Sequence, residues 1–220
     1  MQKFDTPDPI SAVLNIPAGR VRFIAADRAD TAVEVLPVDA SSGRDVKLAE
    51  QTEVEWADGV LRIESPAKSQ FRHPGSIAVT VQLPTGSQIK AQAASAEFRG
   101  VGRFGDVAFE GALGAVEIDE AASVRVTTAS GDVSVRRLNG HAEISTAKGD
   151  IRIAESVRGT VILATQMGDV SIGAAHGVSA SLDAGTTLGR IQNTLKNTEG
   201  TPDLSIHATT TSGDIVARSL

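Results

Sequence analysis

The feature that most limits how this chain can fold is a repeat. From about Ile89 onward one unit recurs: apolar-x-apolar, four residues, Gly-Asp, then apolar-x-apolar again. The clear copies are Val124-x-Val126 with Gly131-Asp132-Val133-x-Val135, Ala142-x-Ile144 with Gly149-Asp150-Ile151-x-Ile153, Val161-x-Leu163 with Gly168-Asp169-Val170-x-Ile172, and Ile206-x-Ala208 with Gly213-Asp214-Ile215-x-Ala217. Two copies are degraded, Val107-x-Phe109 with Gly114-Ala115-Val116-x-Ile118 and Leu182-x-Ala184 with Gly189-Arg190-Ile191-x-Asn193. A fainter one, Ile89-x-Ala91 with Ala96-Glu97-Phe98, precedes them. Corner positions 96, 114, 131, 149, 168, 189 and 213 are separated by 18, 17, 18, 19, 21 and 24 residues, the regularity of a repeat architecture.

Two three-residue strands with two inward apolar side chains each cannot bury a face alone; they need copies above and below. The expected fold is therefore all-β, a single-stranded parallel β-helix (β-solenoid), right-handed by the crossover preference of parallel strands. Coils about 4.8 Å apart would make a rod about 30 Å long. The structural corners are Gly131-Asp132, Gly149-Asp150, Gly168-Asp169 and Gly213-Asp214. There Gly supplies positive φ and the carboxylate can accept from backbone N–H groups. Stacked carboxylates would repel, and Ala115 and Arg190 should interrupt the column. Thr128, Thr146, Thr165, Thr186 and Thr210, three residues before each Gly, are expected as a polar ladder outside the corner. The linkers 119–123, 136–141, 154–160, 173–181 and 194–205 lengthen from 5 through 6, 7 and 9 to 12 residues. A solenoid gathers insertions on one face, often its binding face.

The first third reads as antiparallel strands. Ala12 to Ile16 should reverse at Pro17-Ala18-Gly19 into Arg20 to Ile24, Thr31 to Val38 alternates, and Asp39 to Gln51 reads as loop with one helical turn. Asp58-Gly59 joins a hairpin of Glu53 to Trp56 and Val60 to Ile63, Ile77 to Leu83 is a further strand, and Leu83-Pro84-Thr85-Gly86 a turn. Residues 1–88 are thus an N-terminal hairpin region that continues or caps the solenoid of 89–220, since no linker rich in Pro, Gly or Ser divides the chain near Gly86.

Composition narrows the chemistry. With no Cys, disulfides, thiolate catalysis and zinc-thiolate sites are excluded. A net charge of −6 without a basic stripe argues against nucleic acid. No apolar run approaches a membrane span, and the N-terminal Met1 to Pro7 lacks a signal h-region, so the expected location is cytoplasmic. The corners lack the double Gly and Asp spacing of calcium-binding rolls. His73, His141, His176 and His207 are scattered, so neither metal nor cofactor is expected. Glu117-Ile118-Asp119-Glu120 is the one dense acidic cluster, and it has no spaced acidic partner for glycoside chemistry. Lys148-Gly149-Asp150 resembles an integrin-type tripeptide but coincides with a corner.

The Thr-x-x-Gly-Asp-Val/Ile ladder, with Val79-x-Val81-x-Leu83-Pro84-x-Gly86 and Asp58-Gly59-x-Leu61-x-Ile63, resembles a bacterial β-strand repeat family labelled adhesin, of actinobacterial type and of unknown function. The resemblance covers nearly the whole chain; it implies surface display and brings no catalytic residues. The combined reading is a non-enzymatic scaffold or protein-interaction module. Its last coil, Ile206 to Ala217, is followed only by Arg218-Ser219-Leu220, so it is expected to present open strand edges and to self-associate as a homodimer or filament. Adhesin-like carbohydrate or cell-surface binding and a polysaccharide-active enzyme are the alternatives. The first is weakened by a chain with one Trp and no Tyr to stack on sugars.

Overall fold

The computed structural model describes residues 1–66, 75–197 and 200–220. The chain forms two compact units, Met1–Gly114 and Ala115–Leu220. Each has a core of strands that pair in parallel.

The N-terminal unit contains β1 (Gln2–Asp5), β2 (Ser11–Ala26), β3 (Asp30–Pro37), α1 (Gly43–Gln51), β4 (Glu53–Ala57), β5 (Val60–Glu64), β6 (Ile77–Pro84) and β7 (Gln88–Leu113). Its centre is β2, and β2 corrects the expected hairpin. The chain does not reverse at Pro17-Ala18-Gly19. Instead the first half of β2 pairs in parallel with β5 and with the start of β7, while the second half pairs in parallel with β6 and the continuation of β7. Ala12, Leu14, Ile16, Val21 and Phe23 all point into the core. A Pro-Gly pair bends a chain; whether the bend is a corner or a reversal depends on which neighbours pair on either side.

The antiparallel strands expected here lie outside that parallel core. β4 covers β5 across the Asp58-Gly59 turn, where both residues have positive φ. β3 covers β6, and β1 covers β3. Asp39 to Gln51 is more helical than one turn: α1 is nine residues long, and the Ser42 hydroxyl caps it by accepting from the Asp45 N–H.

The C-terminal unit holds β8 (Val116–Ser130), β9 (Val133–Leu138), β10 (Ala142–Lys148), β11 (Ile151–Ser156), β12 (Gly159–Met167), β13 (Val170–Ala174), β14 (Ala180–Leu188), β15 (Ile191–Thr194), β16 (Leu204–Ser212) and β17 (Ile215–Ser219). Corresponding repeat positions lie directly over one another. Ile151 pairs with Val133 on one side and Val170 on the other, and Ala142 with Val124 and Val161. Their side chains form continuous buried columns.

The rung order departs from the chain order. β12 pairs not with β14 but with β16, and β13 with β17. β14 and β15 then pair with the far sides of β16 and β17. The C-terminal coil is therefore interior, between rung 159–174 and rung 180–194. This overturns the expectation that Ile206 to Ala217 presents the open edge. It also accounts for the two longest linkers without any insertion at a binding face. The nine residues of 173–181 carry the chain past a vacant rung, and the twelve of 194–205 bring it back to fill that rung. The outward crossing spans two rung spacings, about 9.6 Å, and the return spans one.

Candidate functional site

The Gly-Asp corners align in one column along the C-terminal unit. Asp132 Oδ1 accepts from the Asp150 N–H at 2.9 Å, Asp150 Oδ1 from the Asp169 N–H at 2.8 Å, and Asp169 Oδ1 from the Asp214 N–H at 2.7 Å. Each carboxylate thus fastens the backbone of the next rung. Ala115 and Arg190 do not break this column, as the sequence suggested; they stand at its two ends. At the Arg190 end, Asp214 accepts from the Arg190 backbone N–H and from its guanidinium, both at 2.9 Å. These contacts lower the Asp214 carboxyl below its ordinary value, the backbone bond contributing most.

The corner glycines are fixed by two constraints. At Gly168 φ is +151°, and a Cβ would stand 2.1 Å from the Gly149 carbonyl oxygen of the rung beneath. The threonines are not outside the corner, as expected, but inside it. Thr128, Thr146, Thr165 and Thr210 are buried. The hydroxyls of Thr165, Thr210 and Thr186 each donate at 3.0 Å to a corner carbonyl one rung away, on Gly149, Gly168 and Gly213 respectively. A buried hydroxyl needs such a partner, which is why Thr serves here better than Val.

The column ends at rung 180–194, where the burial pattern changes. Ile215 and Ala208 are fully covered, while their neighbours Ile191 and Ala184 are exposed and half-buried, and Leu188 is 68% exposed. Among the described residues, β14 and β15 have a hydrogen-bonded strand on one side only, apart from the Ala180 N–H, which donates to the Lys196 carbonyl. The sequence signal for this open edge was the degraded repeat itself: Arg190 in place of Asp and Asn193 in place of an apolar residue are tolerable only where one face is uncovered.

The remaining candidates are dispersed. Glu120 accepts from Asn139, whose own oxygen takes a bond from Arg137, and Ile118 between the acids is buried. His207 lies 3.4 Å from Asp183 on the outer face, His141 Nδ1 accepts from the Thr160 N–H, and His176 is exposed; His73 lies outside the described residues. No three His, Asp or Glu among the described residues converge as a metal site. Trp56 is half-buried, with its ring centroid 6.3 Å from that of Phe4. A groove of about 320 Å³ beside Gly19, Ser76 and Leu113 is flanked by the exposed pair Arg20 and Glu97 at 3.8 Å. No helix among the described residues is long and apolar enough to cross a membrane.

The family profile described as Toastrack DUF4097 matches residues 20–219. The chain belongs to the Toastrack DUF4097 family. As a Toastrack protein it shares its fold with a solved structure from Bacteroides fragilis described as a "putative adhesin", at 15% identity and a TM-score of 0.59, over 98% of this chain and 95% of that one. More distant are a "putative lipid binding protein" from Parabacteroides distasonis, 14% identical with a TM-score of 0.42, covering 98% and 95%, and a "putative cell adhesion protein" from Clostridium sporogenes, 9% identical with a TM-score of 0.40, covering 100% and 98%. No curated protein matches this Toastrack chain.

Proposed function

We propose that this Toastrack protein is a non-enzymatic interaction module that engages its partner by strand addition at rung 180–194. The observation that carries this reading is the open edge of β14 and β15, where alternate backbone N–H and C=O groups face away from the stack. The Leu204 N–H donates to the Ser179 carbonyl, so residues 182, 184 and 186 turn their amides to the free side. Edges of this kind are where extended chains add to sheets. A labelled peptide of residues 180–194 should bind the full chain at high dilution. The same peptide with Pro at the position of Thr186 should not. Equal binding of both peptides, or of neither, would sink the strand-edge reading.

Cell-surface binding is the second reading, supported by the adhesin description of the Bacteroides fragilis structure. The paired Trp56 and Phe4 argue against an exposed aromatic sugar platform.

A further inference from the structure

We infer that the occupant of the open rung is a second copy of the same rung, joined across a two-fold axis at the Gly189-Arg190 corner, with β14 of each copy antiparallel to β15 of the other. This rests on the strand-edge reading above and adds the partner's identity.

Three observations select that partner. The first is shape. The edge has two arms meeting at a corner, β14 before Gly189 and β15 after it. A partner must bend at the matching place to pair with both, and another copy of the rung does so by construction. A two-fold through the corner lays one copy's incoming arm on the other's outgoing arm, which gives antiparallel pairing on both sides.

The second is register. Centring the axis on the Gly189-Arg190 bond sets Thr186 opposite Asn193 of the partner copy. The ladder in β14 turns the Thr186 amide and carbonyl to the free side, and the bond from the Ile215 N–H to the Arg190 carbonyl does the same for Ile191 and Asn193. Thr186 and Asn193 of the partner copy can therefore exchange both hydrogen bonds of an antiparallel pair. A shift of one residue would face a free-side group with one already bonded in the stack. The same register brings Leu188, 68% exposed, against Ile191 of the partner copy, 45% exposed in a single chain.

The third is the treatment of the other free edges. The outer strands of the N-terminal unit, β1 and β4, are four and five residues long and carry Lys3, Asp5, Glu53 and Glu55. Short charged edges resist pairing. Rung 180–194 holds two charged residues, Asp183 and Arg190; Arg190 pairs with Asp214 on the rung below, and Asp183 lies 3.4 Å from the His207 ring. The two Arg190 side chains brought together at the axis would each keep their own Asp214. Pairing through one kind of edge closes on itself, so the product is a dimer and not a filament.

Sedimentation of the full chain at micromolar concentration should show the dimer. L188K and I191E should each weaken it by about tenfold or more. Mixing the two variants should restore a heterodimer, because in that pair the introduced lysine faces the introduced glutamate. Both positions are already exposed, and circular dichroism checks that each variant folds. A wild-type monomer would overturn the inference, as would variants that dimerise like wild type or a mixture no tighter than its components. A wild-type monomer that still binds the 180–194 peptide would overturn only the second-copy assignment and leave the strand-edge reading standing.

Discussion

In the N-terminal unit the outermost parallel strands, β5 and β6, are each covered by an antiparallel strand from the same chain, whereas in the C-terminal unit β14 and β15 have no strand beyond them among the described residues. The apolar pattern is similar in both places, yet burial is not. Leu61 and Ile63 on β5 are fully buried, while Leu182 on β14 is half-buried and Ile191 on β15 is exposed. In a stacked fold the repeat decides which side chains point inward, and the neighbour on the far side decides how much that burial stabilises.

The largest effect that tests this contrast belongs to a covered corner. Gly168→Ala should destabilise the fold by about 3 kcal/mol or more, since strained φ and backbone overlap act together. Thermal or urea unfolding would measure it, and a loss below about 1 kcal/mol would mean that the rungs can spread. The sharpest comparison uses one substitution in two adjacent rungs. Ile215→Ala removes a fully buried side chain and should cost about 3 kcal/mol, whereas Ile191→Ala on the open rung should cost under about 1 kcal/mol when measured on the monomer at high dilution. Equal losses would show that rung 180–194 is covered after all.

The smallest effect is acid release of the open rung. The Arg190 N–H and guanidinium hold the Asp214 carboxyl below its ordinary value, so this contact is fully formed above the unfolded value of about 4 and is lost as pH falls through the lower folded value. Exchange of the Arg190 amide should quicken below about pH 4 before the amides of β10 and β12 respond. Simultaneous release of all three would put the open rung in the same cooperative unit as its neighbours.

Much of this was legible in the residues. The pairing of Val133 with Ile151 and Val170 follows from spacing, because a side-chain pattern with two short apolar arms has one way to stack. The order of the last two rungs was not legible, since β14 and β16 carry the same pattern and either satisfies the columns locally. The substitutions Arg190 and Asn193 and the two long linkers were the clue, and lengthening linkers read just as naturally as a binding face. Threonine side was missed for a related reason: corner backbone leaves carbonyls pointing inward, a need that no alternation pattern displays. At β2, Pro17 and Gly19 were correctly read as a bend, but the parallel partners that make it a corner lie tens of residues away in β5, β6 and β7.

The interior position of the C-terminal coil has a consequence for biosynthesis. A ribosome releases residues 180–194 before residues 204–219 exist, so the nascent chain carries that segment with its inner neighbour still missing until residues 204–219 follow. The later-made stretch acts as a keystone, locking earlier rungs from within, and loss of residues 204–219 would strip support from two layers at once.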